Sequence, residues 1–255
     1  MLKISIITVS YNSERTIGET IKSVLSQTYP FIEYIIIDGN SNDNTLAIIK
    51  NYESRVNKLL REPDNGIYDA MNKGIAMATG DVIGILNSDD IFYDEQVIEK
   101  IAEAFSKNTE LDCLYGNIVF FGSDKYKTTR TWKTKQYSRY YFELGEVPPH
   151  PALFVKANVY KEAGLYKTDF QLSADQEFML RILKLKKYKS FFLDQYIVRM
   201  RIGGASTMGL KSYLISTREI KRAWNSNGFS YPVWLYILRP IKKAMQLIQK
   251  SAKNR

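Results

Sequence analysis

The sequence predicts an α/β fold in which a mostly parallel sheet is flanked by helices on both faces. Two observations indicate this class. Short apolar runs recur along residues 1–105, and a segment with the periodicity of an amphipathic helix follows each run after a turn. Strands that alternate with helices in this way form parallel sheets with right-handed crossovers. A chain of 255 residues fits one large domain, or one domain with an appendage.

Residues 1–105 are expected to form the first half of the domain. Strands are predicted where β-branched and apolar residues cluster, and helices where Asn, Ser or Asp can cap an apolar periodic segment. The predicted elements are a strand Leu2–Ser10, a helix from Asn12 or Ser13 to Ser26, a strand Ile32–Asp38, a helix from Ser41 or Asp43 to Tyr52, a strand Lys58–Arg61, a helix Ile67–Ala78, a strand Val82–Leu86 and a helix Asp94–Phe105.

The alternation changes after residue 105, and residues 106–209 are expected to form the second half of the same domain and sheet. Its predicted elements are strands Cys113–Phe121 and Thr128–Trp132, a Pro-rich loop ending at Pro151, a short strand Leu153–Lys156 and a helix Ala174–Lys184. Residues 210–255 are predicted to be a helical, basic tail of separate character.

Composition narrows the class of protein. The single cysteine, Cys113, excludes an internal disulfide, and no apolar run approaches the roughly 18 residues of a membrane-spanning helix. The apolar N-terminus reads as a strand rather than a signal peptide, so we expect a cytoplasmic protein. The net charge of +9 is uneven, because residues 199–255 hold 12 of the 36 Lys/Arg and one of the 27 Asp/Glu. A basic tail of this kind favours an anionic surface as partner.

Polar residues end several of the predicted parallel strands. Asp38 ends the second strand, and Asp89 and Asp90 follow the fourth; Asp69 and Lys73 lie one turn apart on the helix between. The carboxyl ends of parallel strands meet at one edge of a sheet, where α/β proteins bind ligands. Carboxylates there suit Mg²⁺ or Mn²⁺, which in turn hold phosphates. Neither a Gly-x-Gly-x-x-Gly nor a Gly-Lys-Ser/Thr loop is present, so the usual dinucleotide and P-loop sites lose support.

At this point the chain resembles the inverting glycosyltransferases of family 2, which have a GT-A fold with a Rossmann-type sheet. The motifs that carry the resemblance are Ser5-Ile-Ile-Thr-Val-Ser-Tyr-Asn12, Ile37-Asp-Gly-Asn-Ser-Asn-Asp43, Asp64-Asn-Gly-Ile-Tyr-Asp-Ala-Met-Asn-Lys-Gly74, Thr79-Gly-Asp81 and Leu86-Asn-Ser-Asp-Asp90. The resemblance covers residues 3–105 strongly and 145–205 more loosely.

The resemblance implies a nucleotide-diphospho-sugar donor, usually held with Mg²⁺ or Mn²⁺. Carried over to this chain, it places Thr8, Ser10 and Tyr11 along the nucleoside pocket, Asp38 on the base, Asp69 and Lys73 beside base and ribose, and Asp89 by the ribose or the waters of the metal. Asp90 would ligate the metal. Many members of the family have another acid where this chain has Asn87 or Ser88.

The resemblance also implies a base in the second half of the domain. Asp175, in Ser173-Ala-Asp-Gln-Glu-Phe-Met-Leu-Arg181, aligns with the family's catalytic base, and the acid that often precedes it is Ala174 here. An inverting transfer needs one carboxylate to deprotonate the acceptor hydroxyl. His150 is a secondary candidate beside the acceptor or the metal. Arg199, Arg201 and residues 203–206 resemble the family's mobile loop over the donor diphosphate.

The expected acceptor is a lipid-linked saccharide in surface polysaccharide or glycolipid synthesis, reached at the cytoplasmic face of the membrane. The tail supports this with an apolar stripe beside lysines; its members are Trp234, Ile237, Leu238, Ile241, Met245 and Ile248. Pro240 is expected to kink or split this helix. The stripe is also compatible with packing on the domain itself or in a dimer.

Two other functions stay open from the residues. A sugar-1-phosphate nucleotidyltransferase shares the α/β architecture and metal chemistry, but Asn12-Ser-Glu-Arg-Thr16 matches its basic Gly-rich loop poorly. A non-catalytic nucleotide-sugar-binding module is permitted by the basic tail, whereas the acids at Asp89, Asp90 and Asp175 favour catalysis. No nucleic acid is expected as a partner.

Overall fold

A single mixed sheet runs through the protein, whose computed structural model describes residues 1–203 and 209–248, with side chains except at 209–211 and 243–248. The strands are β1 Ile4–Ser10, β2 Ile32–Asp38, β3 Lys58–Arg61, β4 Val82–Ile85, β5 Ile91–Phe92, β6 Cys113–Phe121, β7 Thr128–Trp132, β8 Leu153–Lys156 and β9 Ser190–Arg201. The helices are α1 Ile17–Leu25, α2 Thr45–Lys50, α3 Ile67–Met77, α4 Val97–Lys107, α5 Ala157–Ala163, α6 Ala174–Met179, α7 Gly209–Ser226 and α8 Leu235–Ile248.

The sheet joins both predicted halves of the domain. Its strand order is β3-β2-β1-β4-β8-β6-β9-β5, with β7 paired to β6. The first four strands are parallel, and β6 and β9 are also parallel. β8 lies antiparallel between β4 and β6, and β5 lies antiparallel to β9 at the far edge. The predicted α/β class with helices on both faces is confirmed.

The two faces of the sheet bury separate apolar clusters. One cluster joins β1 and β2 to α3, α5, α6 and α7, and the other joins the opposite sides of the same strands to α1, α2 and α4. Close packing of α3 depends on Gly74, because a β-carbon there would lie 2.4 Å from Ile7 Cγ2. These contacts fix α3 against β1, at the edge where the candidate residues lie.

Several element boundaries differ from the sequence prediction. α1 and α2 begin later than expected, at Ile17 and Thr45, because the residues before them form hydrogen-bonded turns between the ends of β1 and β2. β5, α5 and β9 were not predicted. The helix of Asp175 runs as α6 and continues as a π-helix through Leu180–Leu185.

The predicted tail helix is continuous across Pro240, so the expected split does not occur. Packing holds the turn before this proline in place. Leu235 is buried and, with Leu238, would contact a β-carbon at Gly145 at 3.4 and 3.5 Å, and Trp234 Nε1 donates to the carbonyl of Glu143. Within the predicted stripe, Leu238 therefore faces the domain, whereas Ile237 and Ile241 are exposed. Met245 and Ile248 lie outside the described side chains.

None of the helices that the structure describes has the length and apolar character needed to cross a membrane.

Candidate active site

The loops after β1, β2 and β4 meet at one edge of the sheet and brace one another. The Asn12 amide donates to Ser41 Oγ at 2.9 Å, and Ser13 Oγ lies 2.8 Å from Ser88 Oγ. Asn12 and Asn40 adopt left-handed backbone angles, with φ of 48° and 61°. Asparagine tolerates this conformation better than most residues. The expected convergence of the strand ends is therefore present.

Asp38 is fully buried at the end of β2. Its Oδ1 accepts hydrogen bonds from Ser10 Oγ at 3.1 Å and from Ser41 Oγ at 2.6 Å. Its Oδ2 accepts from the Ser41 amide at 3.0 Å and lies 3.6 Å from Arg61 Nε. The carboxylate thus connects the end of β1 to the loop after β2.

Thr8 and Tyr11 lie in different surroundings. Thr8 is fully buried, and its Oγ1 accepts from the Tyr34 hydroxyl at 3.1 Å. Tyr11 is 60% exposed, beside Gly39. A β-carbon at Gly39 would lie 3.4 Å from Cδ2 of Tyr11 and 2.3 Å from Asp64 Oδ2. The absence of a side chain at Gly39 therefore lets the Asp64 turn approach the Tyr11 ring.

Asp69 and Lys73 are paired on α3, with 3.4 Å between Asp69 Oδ2 and Lys73 Nζ. Asp69 Oδ2 also accepts from the Asn65 amide at 2.9 Å. Lys73 Nζ contacts Glu62 Oε1 at 2.9 Å and the Pro63 carbonyl at 2.8 Å, and the bond with Glu62 raises the pKa of Lys73. The pair therefore fixes the chain that leads into α3 at the edge of the site.

Asp89 and Asp90 are neighbouring carboxylates whose negative charges are not fully balanced by nearby cations. Burial, together with the negative charge of Asp89, holds the pKa of the Asp90 carboxyl well above its ordinary value; burial also raises the pKa of Asp89. Asp90 Oδ1 accepts from the Arg201 amide at 3.1 Å, and Asn87 Nδ2 lies 3.5 Å from Asp90 Oδ2. Asn87 Oδ1 is buried without a hydrogen-bond partner among the described residues.

This donor set fits a divalent cation. Two carboxylates and an unpartnered amide oxygen are hard ligands of the kind that Mg²⁺ and Mn²⁺ prefer. Within residues 1–203 and 209–248 no group of three or more His, Cys, Asp or Glu side chains is placed to hold a metal. A cation here would therefore need further ligands, such as diphosphate oxygens and water.

Arg201 ends β9 beside this pair. Its guanidinium bonds Glu19 Oε2 at 2.6 Å and lies 4.6 Å from the centre of the Phe121 ring, and its Nε is buried without a partner in the described part of the chain. Arg199 stacks on Tyr93, 4.2 Å from the ring centre. Gly203 adopts φ of 114°, and residues 204–208, where the rest of the predicted mobile loop falls, lie outside the described residues.

Asp175 lies in the first turn of α6 and is partly buried. Its Oδ1 accepts from the Tyr68 hydroxyl at 3.2 Å. Burial raises the pKa of Asp175, and the nearby His150 opposes that rise. A carboxylate with a raised pKa is a stronger proton acceptor than an exposed aspartate. The position and the chemistry both suit a general base.

His150 borders the same carboxylate. Its Nε2 lies 3.3 Å from the Tyr166 hydroxyl, and burial lowers the pKa of its imidazole. Glu177, two residues after Asp175, turns away as the helical spacing predicts and contacts Arg181 and Lys167 instead.

Sequence reasoning missed Tyr68, although it lies inside one of the quoted motifs. Tyr68 is 7% exposed and belongs to the same turn of α3 as Asp69. α3 therefore contributes Asp69 and Lys73 to the predicted donor group and a hydroxyl to Asp175. A tyrosine at a helical position buried against the sheet looks like core packing, and its partner is 107 residues away in sequence.

The first part of the chain matches a known protein family. The profile described as "Glycosyl transferase family 2" matches residues 5–160, a range that includes Asp90 and His150 but not Asp175. A curated protein of Mycobacterium tuberculosis, named an uncharacterized glycosyltransferase, is 38% identical over 181 residues, which cover 70% of this chain and 68% of that protein. A glycosyltransferase of Mycobacterium bovis named for PGL/p-HBAD biosynthesis is 27% identical over 180 residues, or 69% and 68% of the two chains.

Solved structures share the fold. Residues 1–349 of TarS from S. aureus, in complex with UDP, are 20% identical with a TM-score of 0.64; the match covers 87% of this chain and 65% of that one. The mannosyltransferase PcManGT from Pyrobaculum calidifontis, in complex with GDP-Man and Mn²⁺, is 15% identical with a TM-score of 0.66, over 93% and 68% of the two chains. These likenesses confirm the expected GT-A fold.

Proposed function

The chain belongs to glycosyltransferase family 2, and from that premise we propose that it is an inverting transferase. In this proposal a sugar passes from a nucleotide-diphospho-sugar to a hydroxyl of a saccharide acceptor. The observation that carries the proposal is the placement of Asp175, a partly buried carboxylate that the donor-side helix α3 contacts through Tyr68.

The donor would lie over the ends of β1, β2 and β4. Tyr11 offers an exposed ring for the nucleoside, and Asp38 and Ser10 shape the pocket beneath it. Asp69 and Lys73 border the ribose side. Thr8 is buried, so it would support the pocket through its hydrogen bond with Tyr34 rather than through contact with the donor. Relatives of this fold were solved with UDP, UDP-GlcNAc and GDP-Man, which supports a nucleotide-diphospho-sugar as donor class.

The transfer itself would need one proton acceptor. Asp175 takes the proton from the acceptor hydroxyl as that oxygen bonds to the anomeric carbon. The bond to the diphosphate oxygen breaks on the opposite face, and the nucleoside diphosphate leaves with the electron pair, so the anomeric configuration inverts. Asp90, Asp89 and Asn87 would hold Mg²⁺ or Mn²⁺, which supplies positive charge to the leaving diphosphate when it is bound.

The acceptor is proposed to be lipid-linked, and α8 supports this with an exposed apolar face. Val233 and Trp234 just before α8, and Ile237 and Ile241 on it, are exposed. Arg239 and Lys242 lie on the same helix, and Lys242 also contacts Glu146 at 2.5 Å. Apolar side chains beside cationic ones suit the headgroup region of an anionic membrane. One relative of the chain is named for PGL/p-HBAD biosynthesis. The proposed location is therefore peripheral, at the cytoplasmic face of a membrane.

The function is tested by separating donor binding from transfer. Wild-type protein is screened by thermal shift against UDP- and GDP-sugars with and without Mn²⁺, since a ligand that binds the native state raises its apparent stability. Asp90→Ala should lose the Mn²⁺-dependent shift. Asp175→Asn should keep that shift and lose about 10²–10⁴-fold in transfer rate, the range for removal of a general base.

Glu103→Gln is the control, because Glu103 is exposed on α4 and its partner is the exposed Lys107. It should keep both donor binding and transfer. Normal turnover by Asp175→Asn would move the base to another residue, and an unchanged Mn²⁺ response in Asp90→Ala would remove the metal assignment.

Membrane contact is tested with Ile237→Glu, because Ile237 is 67% exposed and truncating the tail would instead remove Leu235 from the core. Sedimentation with anionic phosphatidylglycerol vesicles should show weaker binding than wild type. Tyr126→Glu, at an exposed residue between β6 and β7, is the control and should bind as wild type does. Equal sedimentation of both variants would refute the membrane role of α8.

A further inference from the structure

The hydroxyl of Tyr68 is the side-chain donor that contacts Asp175. The 3.2 Å hydrogen bond runs from the first turn of α3 to Oδ1 of the carboxylate on α6. Within the described residues no side chain donates to Oδ2. One oxygen of Asp175 is thus held from the donor side of the site, and the Gln176 amide also bonds the carboxylate.

An aromatic cluster keeps the Tyr68 ring in place. The ring lies 5.9 Å from Tyr166, whose own ring is 4.9 Å from Phe178, and Phe178 stacks on Tyr160 at 4.9 Å and 8°. Tyr160, Tyr166 and Phe178 are all buried. Rings packed in this way have little freedom to rotate out of their positions. The direction of the Tyr68 hydroxyl is therefore set by packing.

Tyr68 also forms one wall of an open cleft of about 300 Å³ between the turn before α3 and the loop before α6. Asn65, Thr168 and Gln171 line the same cleft, and their side chains make no hydrogen bond to the described part of the protein. Free amide and hydroxyl groups suit sugar hydroxyls. Tyr68 therefore lies between this cleft, which it lines, and the Asp175 carboxylate, which it contacts.

The groups that face Asp175 come from four directions. Tyr68 lies on α3, His150 precedes β8, Tyr166 lies in the loop before α6, and the Gln176 amide belongs to α6 itself. Burial raises the pKa of Asp175, whereas His150, the Gln176 amide and the Tyr68 hydroxyl favour its ionised form. A hydrogen bond donated to a carboxylate stabilises the charge, so losing it disfavours the basic form.

We propose that Tyr68 is a positioning residue for the transfer, which fixes Oδ1 of Asp175 and leaves Oδ2 to receive the proton of the acceptor hydroxyl. This role rests on the proposed function of Asp175 as the base.

The proposal is tested first without any substrate. Carboxyl-¹³C aspartate is incorporated into the full chain, and the Asp175 signal is assigned as the one missing from Asp175→Asn. In Tyr68→Phe, the titration midpoint of this signal should move to higher pH by about one unit, the effect of one hydrogen bond to a charged group. Tyr160→Phe is the control, because the Tyr160 hydroxyl lies 3.4 Å from that of Tyr166 and has no hydrogen bond to Asp175. An unmoved midpoint in Tyr68→Phe would overturn the proposal.

A second measurement applies if Tyr68→Phe does not fold. Replacing Tyr68 with 3-fluorotyrosine keeps the shape of the ring and makes the hydroxyl a stronger donor. The Asp175 midpoint should then move to lower pH, and no movement, or movement to higher pH, refutes the hydrogen bond.

Kinetics distinguish this role from the function on which it rests. With the donor and acceptor that support turnover, Tyr68→Phe should lower kcat about tenfold, leave the donor KM unchanged and move the acidic limb of the pH profile upward. If Asp175→Asn stays active, the base assignment fails while the titration result stands. If Asp175→Asn is inactive and Tyr68→Phe turns over normally with an unchanged profile, only the role of Tyr68 fails.

Discussion

Replacing Glu177 by glutamine should destabilise the protein through a buried charge cluster that holds α6 in place. Glu177 is fully buried. Its Oε2 lies 2.8 Å from Arg181 Nη2, and its Oε1 lies 2.9 Å from Lys167 Nζ and 3.2 Å from Asn227 Nδ2. Arg181 also donates to the carbonyls of Gly164 and Leu165. The cluster therefore joins α6 to the loop before it and to the end of α7.

The size of the effect follows from burial. Removing one partner of a buried ion pair costs about 3–5 kcal/mol. The lower end applies here, because the side chain of Lys167 is 38% exposed while that of Arg181 is 11% exposed, and glutamine can still accept one bond. For a chain of this length about 3 kcal/mol corresponds to a fall of roughly 6–12 °C in Tm.

The assay is thermal and urea unfolding followed by circular dichroism between pH 3 and pH 8. Burial opposes ionisation, but the bonds from Arg181 and Lys167 hold the pKa of Glu177 below its ordinary value. A carboxyl with a lowered folded-state pKa stabilises the fold above its unfolded pKa of about 4.3, and this contribution is lost as pH falls through the folded value. The difference between wild type and Glu177→Gln should therefore be full at pH 7 and shrink in acid.

Glu110→Gln is the matched control, because the Glu110–Lys189 pair is exposed on both sides. Its Tm should equal that of wild type. A Tm for Glu177→Gln within 2 °C of the control, or a difference that does not change with pH, would refute the argument from burial.

Two glycine substitutions test the packing around the site. Gly74→Ala should lower the free energy of unfolding by about 1–3 kcal/mol, because its β-carbon would overlap Ile7. Gly18→Ala is the control and should be neutral or stabilising, because its nearest contact is an ordinary 3.5 Å. Urea unfolding measures both variants, and equal effects would contradict the close contact at Gly74. Gly39→Ala should displace the Asp64 turn and weaken binding of UDP or GDP in calorimetry about tenfold while the Tm changes little, and unchanged affinity would show that the turn does not shape the pocket.

Much of the first half could be predicted because its strands are continuous apolar runs. Asp38 directly follows one such run, and Asp90 follows another after three polar residues, so the sequence could place both at the edge of the sheet. β9 was missed because Asp194 and Arg199 interrupt its apolar residues, and its identity as a strand comes from pairing with β6 on one side and β5 on the other. Pairing between distant segments leaves no local signal.

The same reasoning explains why the surroundings of single side chains could not be predicted from the sequence. β1 is buried on both faces, so the alternation of its residues does not reveal that Thr8 is enclosed against Tyr34. Helical spacing groups Leu238 with Ile237 and Ile241 in the predicted apolar stripe. The structure turns Leu238 toward Gly145, a contact that depends on a loop 93 residues earlier in the chain (238 − 145).

The position of β8 sets a rule for building chimaeras within this family. Phe154 and Val155 pair with β4 on one side and with β6 on the other, and a β-carbon at Gly84 of β4 would lie 2.3 Å from the Phe154 ring. Grafting residues 106–209 of a relative onto this chain would therefore import a foreign β8 against the native β4. A bulkier residue facing Gly84, or a different ring at position 154, would disturb the packing between β4 and β8. Exchanges meant to change the acceptor should keep β4, β6 and β8 from one parent and recombine only the loops around them.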